Sequence, residues 1–245
     1  SVNLVTRTTS NKLRLSGTLS SGFNPIRAGA VNSGSFILSN SVGKKKQFGF
    51  MFNGSMLNND YGSDNIEGTW VQHRNSVYMS QFDIRRYDVR RLRRSIGGNF
   101  EYKINNRNRI QFSTIFNWRD DWENRYRLRY SLDTSLTTFD ANGNAIGFRG
   151  RINRQTKGGI FSPRVKNARL ENQQVQNYSL NGKHILGNNI QLEWSGSYAK
   201  ASEKRPNERY ANYRTSSGVQ VLGDFSDPEF PLLTDTFSQK GRWSS

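Results

Sequence analysis

Ile110-Gln111-Phe112-Ser113-Thr114-Ile115-Phe116-Asn117-Trp118 decides the fold class. Apolar and polar residues alternate along it, with Ile115 the one breach. A period of two puts alternate side chains on opposite faces of a strand, so this stretch reads as a β-strand with one apolar and one polar face. The same alternation returns at Ile96-Gly97-Gly98-Asn99-Phe100-Glu101-Tyr102-Lys103-Ile104 and at Ile190-Gln191-Leu192-Glu193-Trp194-Ser195-Gly196-Ser197-Tyr198. It is shorter or weaker around Leu13–Leu19, Phe48–Met56, Tyr126–Leu132 and Tyr178–Gly182. Segments of this kind describe an antiparallel sheet with one apolar face. No amphipathic helix of useful length is visible, and no stretch approaches the roughly 20 apolar residues of a membrane-spanning helix.

The spacing of the segments sorts the connections. Short turns fall at Val42–Lys46, at Asn105–Asn108 and at Gly187–Asn189, and long polar excursions fall near 58–84, 133–174 and 202–235. Chain direction reverses at each turn, so the short turns gather at one edge of the sheet and the long excursions at the other. That asymmetry, with alternating cores of about 9–11 residues, is expected of an outer-membrane β-barrel with short periplasmic turns and long extracellular loops. The fold class predicted is all-β: antiparallel transmembrane strands forming a partial barrel of about seven or eight strands. Trp118, Trp122, Tyr102 and Tyr198 stand near the ends of the apolar cores, where interfacial aromatic girdles lie. The alternation further predicts that Leu13, Phe50, Phe100, Phe112 and Trp194 share the outward face. Arg14, Asn53, Glu101, Gln111 and Glu193 should face inward.

The composition fits a fold that uses aromatics without a large apolar core. Of 245 residues, 33% are hydrophobic, yet aromatics reach 12%, too many for a disordered chain. The absence of cysteine excludes disulfides, thiolate catalysis and Cys-based zinc sites. Thirty-six Lys+Arg against 19 Asp+Glu give a net charge of +17. Six arginines crowd between Arg85 and Arg94, on both faces of a strand. Beyond the bilayer, one face would meet lipopolysaccharide phosphates and the other the ligand path, because the planar guanidinium binds such oxyanions bidentately. An arginine on the lipid face at mid-membrane is costly, so the embedded part of that strand should begin near Leu92 or Ile96.

The opening Ser1-Val2-Asn3-Leu4-Val5-Thr6-Arg7 resembles the last strand of the plug domain in TonB-dependent outer-membrane transporters. Thr8–Asn11 would then be the linker and Lys12–Phe23 the first barrel strand. A second strand is expected at Ser33–Val42, a third from Phe48, then a loop motif Tyr61-Gly62-Ser63-Asp64-Asn65-Ile66-Glu67. The family's barrel has about 22 strands. The resemblance therefore implies a segment: residues 1–11 closing the plug, and 12–245 forming the N-terminal part of the barrel. It implies import of a scarce extracellular solute, and energy delivered through the plug by the TonB complex of the inner membrane. It also implies a surface lipoprotein partner and residence in the outer membrane of a Gram-negative-type bacterium. Ser1 opens without an initiator Met or a signal peptide, so the chain reads as processed or excised.

No catalytic constellation stands out, so the chain reads as a non-enzyme. His184 lies in a strand pattern and His73 in a polar excursion without a nearby carboxylate. No nucleotide or cofactor motif is present. Asp60, Asp64 and Glu67 supply oxygens beside Gly62, but their spacing is not that of a calcium loop, and an Asx-rich turn explains them better. Candidates for solute contact are Asp64, Glu67, Trp70, Trp122, Arg125, Arg127 and Arg129, chosen for position and chemistry. Two other readings compete: a small stand-alone barrel serving as pore or adhesin, and a basic sheet binding single-stranded nucleic acid through aromatic stacking. The second has no Gly-rich RNA-binding signature behind it.

Overall fold

The computed structural model describes residues 9–158, 168–187, 190–206, 208–215, 218–225, 227, 231–235 and 243–244. The plug-like stretch 1–7, the tip of the 187–189 turn and most of the C-terminal residues lie outside them. Every regular element among the described residues is a β-strand. In chain order these are β1 (Arg14–Asn24), β2 (Gly29–Val42), β3 (Phe48–His73), β4 (Ser76–Asn105), β5 (Asn108–Phe139) and β6 (Ala145–Lys157). They continue with β7 (Arg169–Leu186), β8 (Ile190–Lys204), β9 (Tyr210–Thr215), β10 (Val219–Asp224), β11 (Leu232–Asp235) and β12 (Trp243–Ser244). The twelve strands form an antiparallel sheet, more strands than the seven or eight expected. The contacts divide the chain into two compact units, described separately below.

The first unit comprises Ser1–Tyr61, Arg90–Trp122 and Leu170–Pro206. Its strands follow the order β1-β2-β3-β4-β5-β7-β8. Register explains its two faces. Leu15 pairs with Leu38 and Leu38 with Phe52; Gly17 pairs with Phe36 and Phe36 with Gly54. Ring contacts carry the same face onward, Phe52 to Phe100 at 5.3 Å, Phe100 to Phe112 at 6.3 Å and Phe116 to Tyr178 at 5.5 Å. Tyr178 pairs with Tyr198 and Gly182 with Trp194. One face is thus apolar and aromatic across seven strands, and its large side chains stay exposed: Leu19 is 90% and Ile190 63% accessible. A contiguous apolar face of this kind is rare on soluble monomers. The opposite face is polar: Gln111 donates to Asn99, and Lys183 donates to Glu193.

Two glycines on the apolar face have a packing reason. A side chain at Gly54 would collide with the Phe36 ring, and one at Gly182 with the Trp194 indole. Aromatic rings lying across cross-strand glycines cover backbone that would otherwise be bare and help pin the register.

The described residues just ahead of β1 lie on the polar face. Thr9 Oγ1 donates to Glu101 Oε2 at 3.1 Å, and the Ser10 amide donates to Ser39 Oγ at 2.9 Å. Ser41 Oγ donates to the Ser10 carbonyl at 2.8 Å, and Lys46 Nζ to the Asn11 carbonyl at 2.6 Å. Gly49 makes room for this docking, since a Cβ there would come within 2.8 Å of Thr9 Cβ. Gly49→Val is expected to lift Thr9 away, at an overpacking cost of about 1–3 kcal/mol. Faster tryptic cleavage after Lys12 in the folded protein is the measurement that checks it.

The second unit comprises Gly62–Val89, Glu123–Arg169 and Asn207–Ser245. It contains the far halves of β3, β4 and β5 with β6 and β9–β12. A small core forms from Tyr78, Leu132, Phe148 and Val221, with Phe225 packed edge-on to Phe148 at 5.4 Å. Here the structure departs from the expected loops. The excursion at 58–84 is strand except for the turn at Arg74 and Asn75, and Tyr61–Glu67 lies inside β3. The excursion at 133–174 holds the end of β5, all of β6 and the start of β7. The 202–235 excursion holds β9, β10 and β11. Asn, Asp, Gly and Ser read as loop in sequence. They sit in strands here because ladder pairing and ion pairs on neighbouring strands satisfy them.

Candidate functional site

β4 and β5 carry the charge chemistry of both units. The apolar alternation occupies only 96–104 on β4 and 110–118 on β5, so the arginine-rich parts lie outside it.

In the first unit, charges follow directly on the apolar cores, on both faces. On the polar face Asp121 accepts two bonds from Arg91, Nε to Oδ1 at 2.7 Å and Nη2 to Oδ2 at 2.9 Å. It accepts a further bond from Arg119 Nε at 2.8 Å. Arg91 also stacks over Tyr61, 5.6 Å from the ring centre. On the apolar face Arg94 Nη2 donates to Asp120 Oδ2 at 2.5 Å, and Asp120 also accepts from Asn172. Arg90 donates to Asn58 and lies over the Trp122 ring at 5.5 Å. On that face the apolar run of β4 begins at Ile96, after Arg94. Lys200 and Lys204 occupy the matching place on β8, two and six residues beyond Tyr198 on the same alternation.

Burial pushes the Asp121 carboxyl up, and the hydrogen bonds from Arg91 and Arg119 outweigh it, leaving its pKa below the usual aspartate value. A carboxylate depressed in the folded state stabilises the fold above its unfolded pKa. That stability is lost as pH falls through the lower, folded value. Asp121→Asn is therefore expected to flatten the fall in stability below about pH 4, read from urea midpoints taken across an acid series.

In the second unit a single carboxylate collects three guanidinium groups. Asp83 has a fully buried side chain. Arg129 grips it with two bonds, Nε to Oδ1 at 2.6 Å and Nη2 to Oδ2 at 2.7 Å, and Arg85 Nη2 adds a third at 2.6 Å. Arg127 Nη1 stands 3.7 Å off, within ion-pair reach but outside hydrogen-bond range. Burial raises the Asp83 pKa, and the bonds from Arg129 and Arg85 bring it below the usual value. Burial and the neighbouring Arg129 both push the Arg127 guanidinium below its ordinary range.

The candidates named from sequence separate as follows. Arg127 and Arg129 converge on Asp83, and Arg125 donates to Gln155 at 2.8 Å on the same face of β5. Glu67 pairs with Arg85 and so joins that group. Asp64 lines a cavity of about 880 Å³ with Ile66, Ile84, Arg85, Tyr126 and Arg127. Trp70 packs edge-on against Phe225 at 6.0 Å. Trp122 belongs to the first unit, under Arg90. Of the acidic trio considered for calcium, Asp60 pairs with Arg27 at 2.8 Å and Glu67 with Arg85. Sequence reasoning missed Asp83. The signal available was a lone acid directly preceding the arginine run. His184 bridges Asn108 and Trp194 by hydrogen bonds of 2.9 and 3.1 Å.

Comparison with protein-family models, with curated proteins and with solved structures returns no match.

Proposed function

We propose that the chain is the N-terminal barrel part of a TonB-dependent outer-membrane transporter, following the end of its plug, and that the whole protein imports a scarce extracellular solute. The observation that carries this reading is the exposed aromatic face running across seven strands of the first unit, backed by a polar face. A lipid-facing barrel wall needs that division, because alternate residues meet hydrocarbon and lumen. The docking of Thr9–Asn11 on the polar face supports it further, since a plug would attach from inside. On this reading the inner-membrane TonB complex pulls on the segment upstream, and a surface lipoprotein is a partner outside. Arg90, Arg94, Lys200 and Lys204 follow the apolar band on the lipid side, where lipopolysaccharide phosphates would lie.

The test is fractionation of the source cell followed by the intact mass of the native protein. A polypeptide severalfold longer than 245 residues in the outer membrane is the expected result. A polypeptide of about this length in the same fraction would favour a small closed barrel. Absence from the membrane would overturn both and favour the nucleic-acid reading.

A further inference from the structure

Among the described residues of the second unit, the guanidinium groups of Arg85, Arg127 and Arg129 form ion pairs with two carboxylates, Asp83 and Glu67, and Arg125 beside them on β5 pairs with neither. The imbalance falls on one residue. Asp83 already accepts three hydrogen bonds, from Arg129 and Arg85, which leaves little capacity on its two oxygens. Arg125 is turned to Gln155. Arg127 has five N–H donors and makes no hydrogen bond with the described residues, and its Nε is buried without a partner. Its side chain is only 13% exposed, so water cannot fully replace the missing partners. The Nε atoms of Arg85 and Arg125 are buried and unpartnered as well.

Unmet donors on a buried cation are costly in an empty site and favourable in a filled one. A structural ion-pair network would need one arginine fewer. Alternation puts Arg125, Arg127 and Arg129 on one face of β5, and β6 presents Gln155 opposite Arg127 and Asn153 opposite Arg129. We propose that Arg127, flanked by Arg125 and Arg129, is an oxyanion seat that binds a carboxylate or phosphate group carried by the solute. Asp83 serves as the internal counter-charge that holds Arg129 and Arg85 in place. The inference names the substrate class for the transporter reading and rests on that reading only for the solute's route.

The experiment is titration calorimetry on the full-length protein, extracted in detergent, with inorganic phosphate, succinate and neutral glucose as probes. Arg127→Gln and Arg127→Lys are compared with wild type. Saturable binding of phosphate or succinate, but not glucose, is expected. Arg127→Gln should weaken it by about 10- to 100-fold, the loss of a charge-assisted hydrogen-bonding partner. Arg127→Lys should weaken it less, because the charge stays while the planar fork is lost. Preference for succinate assigns a carboxylate ligand, and preference for phosphate assigns a phosphorylated one. Equal affinity in wild type and Arg127→Gln, or no difference between the anions and glucose, overturns the proposal. Urea midpoints of the variants separate lost binding from lost folding. Calorimetry in detergent is independent of cellular location, so a failed oxyanion seat and a failed transporter assignment give different results.

Discussion

Replacing Asp83 with asparagine is expected to cost about 3–5 kcal/mol of stability, the effect of removing one partner from a buried ion pair. The carboxylate is fully buried and is the only acid within ion-pair reach of Arg129 among the described residues. Neutralising it leaves Arg129, Arg85 and Arg127 facing one another with a single nearby acid, Glu67. Asparagine keeps the shape and one acceptor oxygen, so the loss reports charge and not volume. A double-mutant cycle with Arg129→Gln sharpens the test, because the second substitution removes the stranded cation. The double variant should recover part of the loss, and strictly additive losses in urea unfolding would contradict the assignment.

The second large effect is expected on the apolar face of the first unit. Phe100 touches Phe48, Phe52 and Phe112 near the middle of the nine-residue alternating core of β4. If that face meets hydrocarbon, Phe100→Arg should destabilise the membrane-inserted protein by about 2–4 kcal/mol. Gln111→Arg, on the polar face beside Asn99, should change stability far less. Unfolding from lipid vesicles measures both. Equal losses at the two positions would mean that the exposed aromatic face is not turned to lipid.

The sheet was legible where one face is apolar. At 96–104, 110–118 and 190–198 the period of two fixes which side chains share a face, and the observed register of Gly182 with Trp194 or Phe36 with Gly54 follows that pattern. Beyond the apolar bands the signal disappears. Residues 58–84 scatter apolar side chains such as Trp70, Tyr78 and Phe82 among polar ones without a clean period of two, so their own pattern does not separate strand from loop. What holds them extended is supplied by distant residues: Arg85 for Glu67, and Arg129 for Asp83, 46 positions away. The candidate site was half legible for the same reason. The alternation of Arg125, Arg127 and Arg129 exposes a cationic face to any reader. The acid that organises it lies on another strand and comes into view only once β4 and β5 are paired.

The attachment of Thr9–Asn11 has a mechanical consequence. Four hydrogen bonds hold these residues to the first unit, and each passes through a side chain, with no backbone ladder involved. At about 0.5–1.5 kcal/mol each, they amount to roughly 2–6 kcal/mol in all. Tension applied upstream of Thr9 would load them one after another, like a seam opened stitch by stitch. The ladder between β1 and β2 would be spared, and the released residues could settle back on the same four partners once the tension fell.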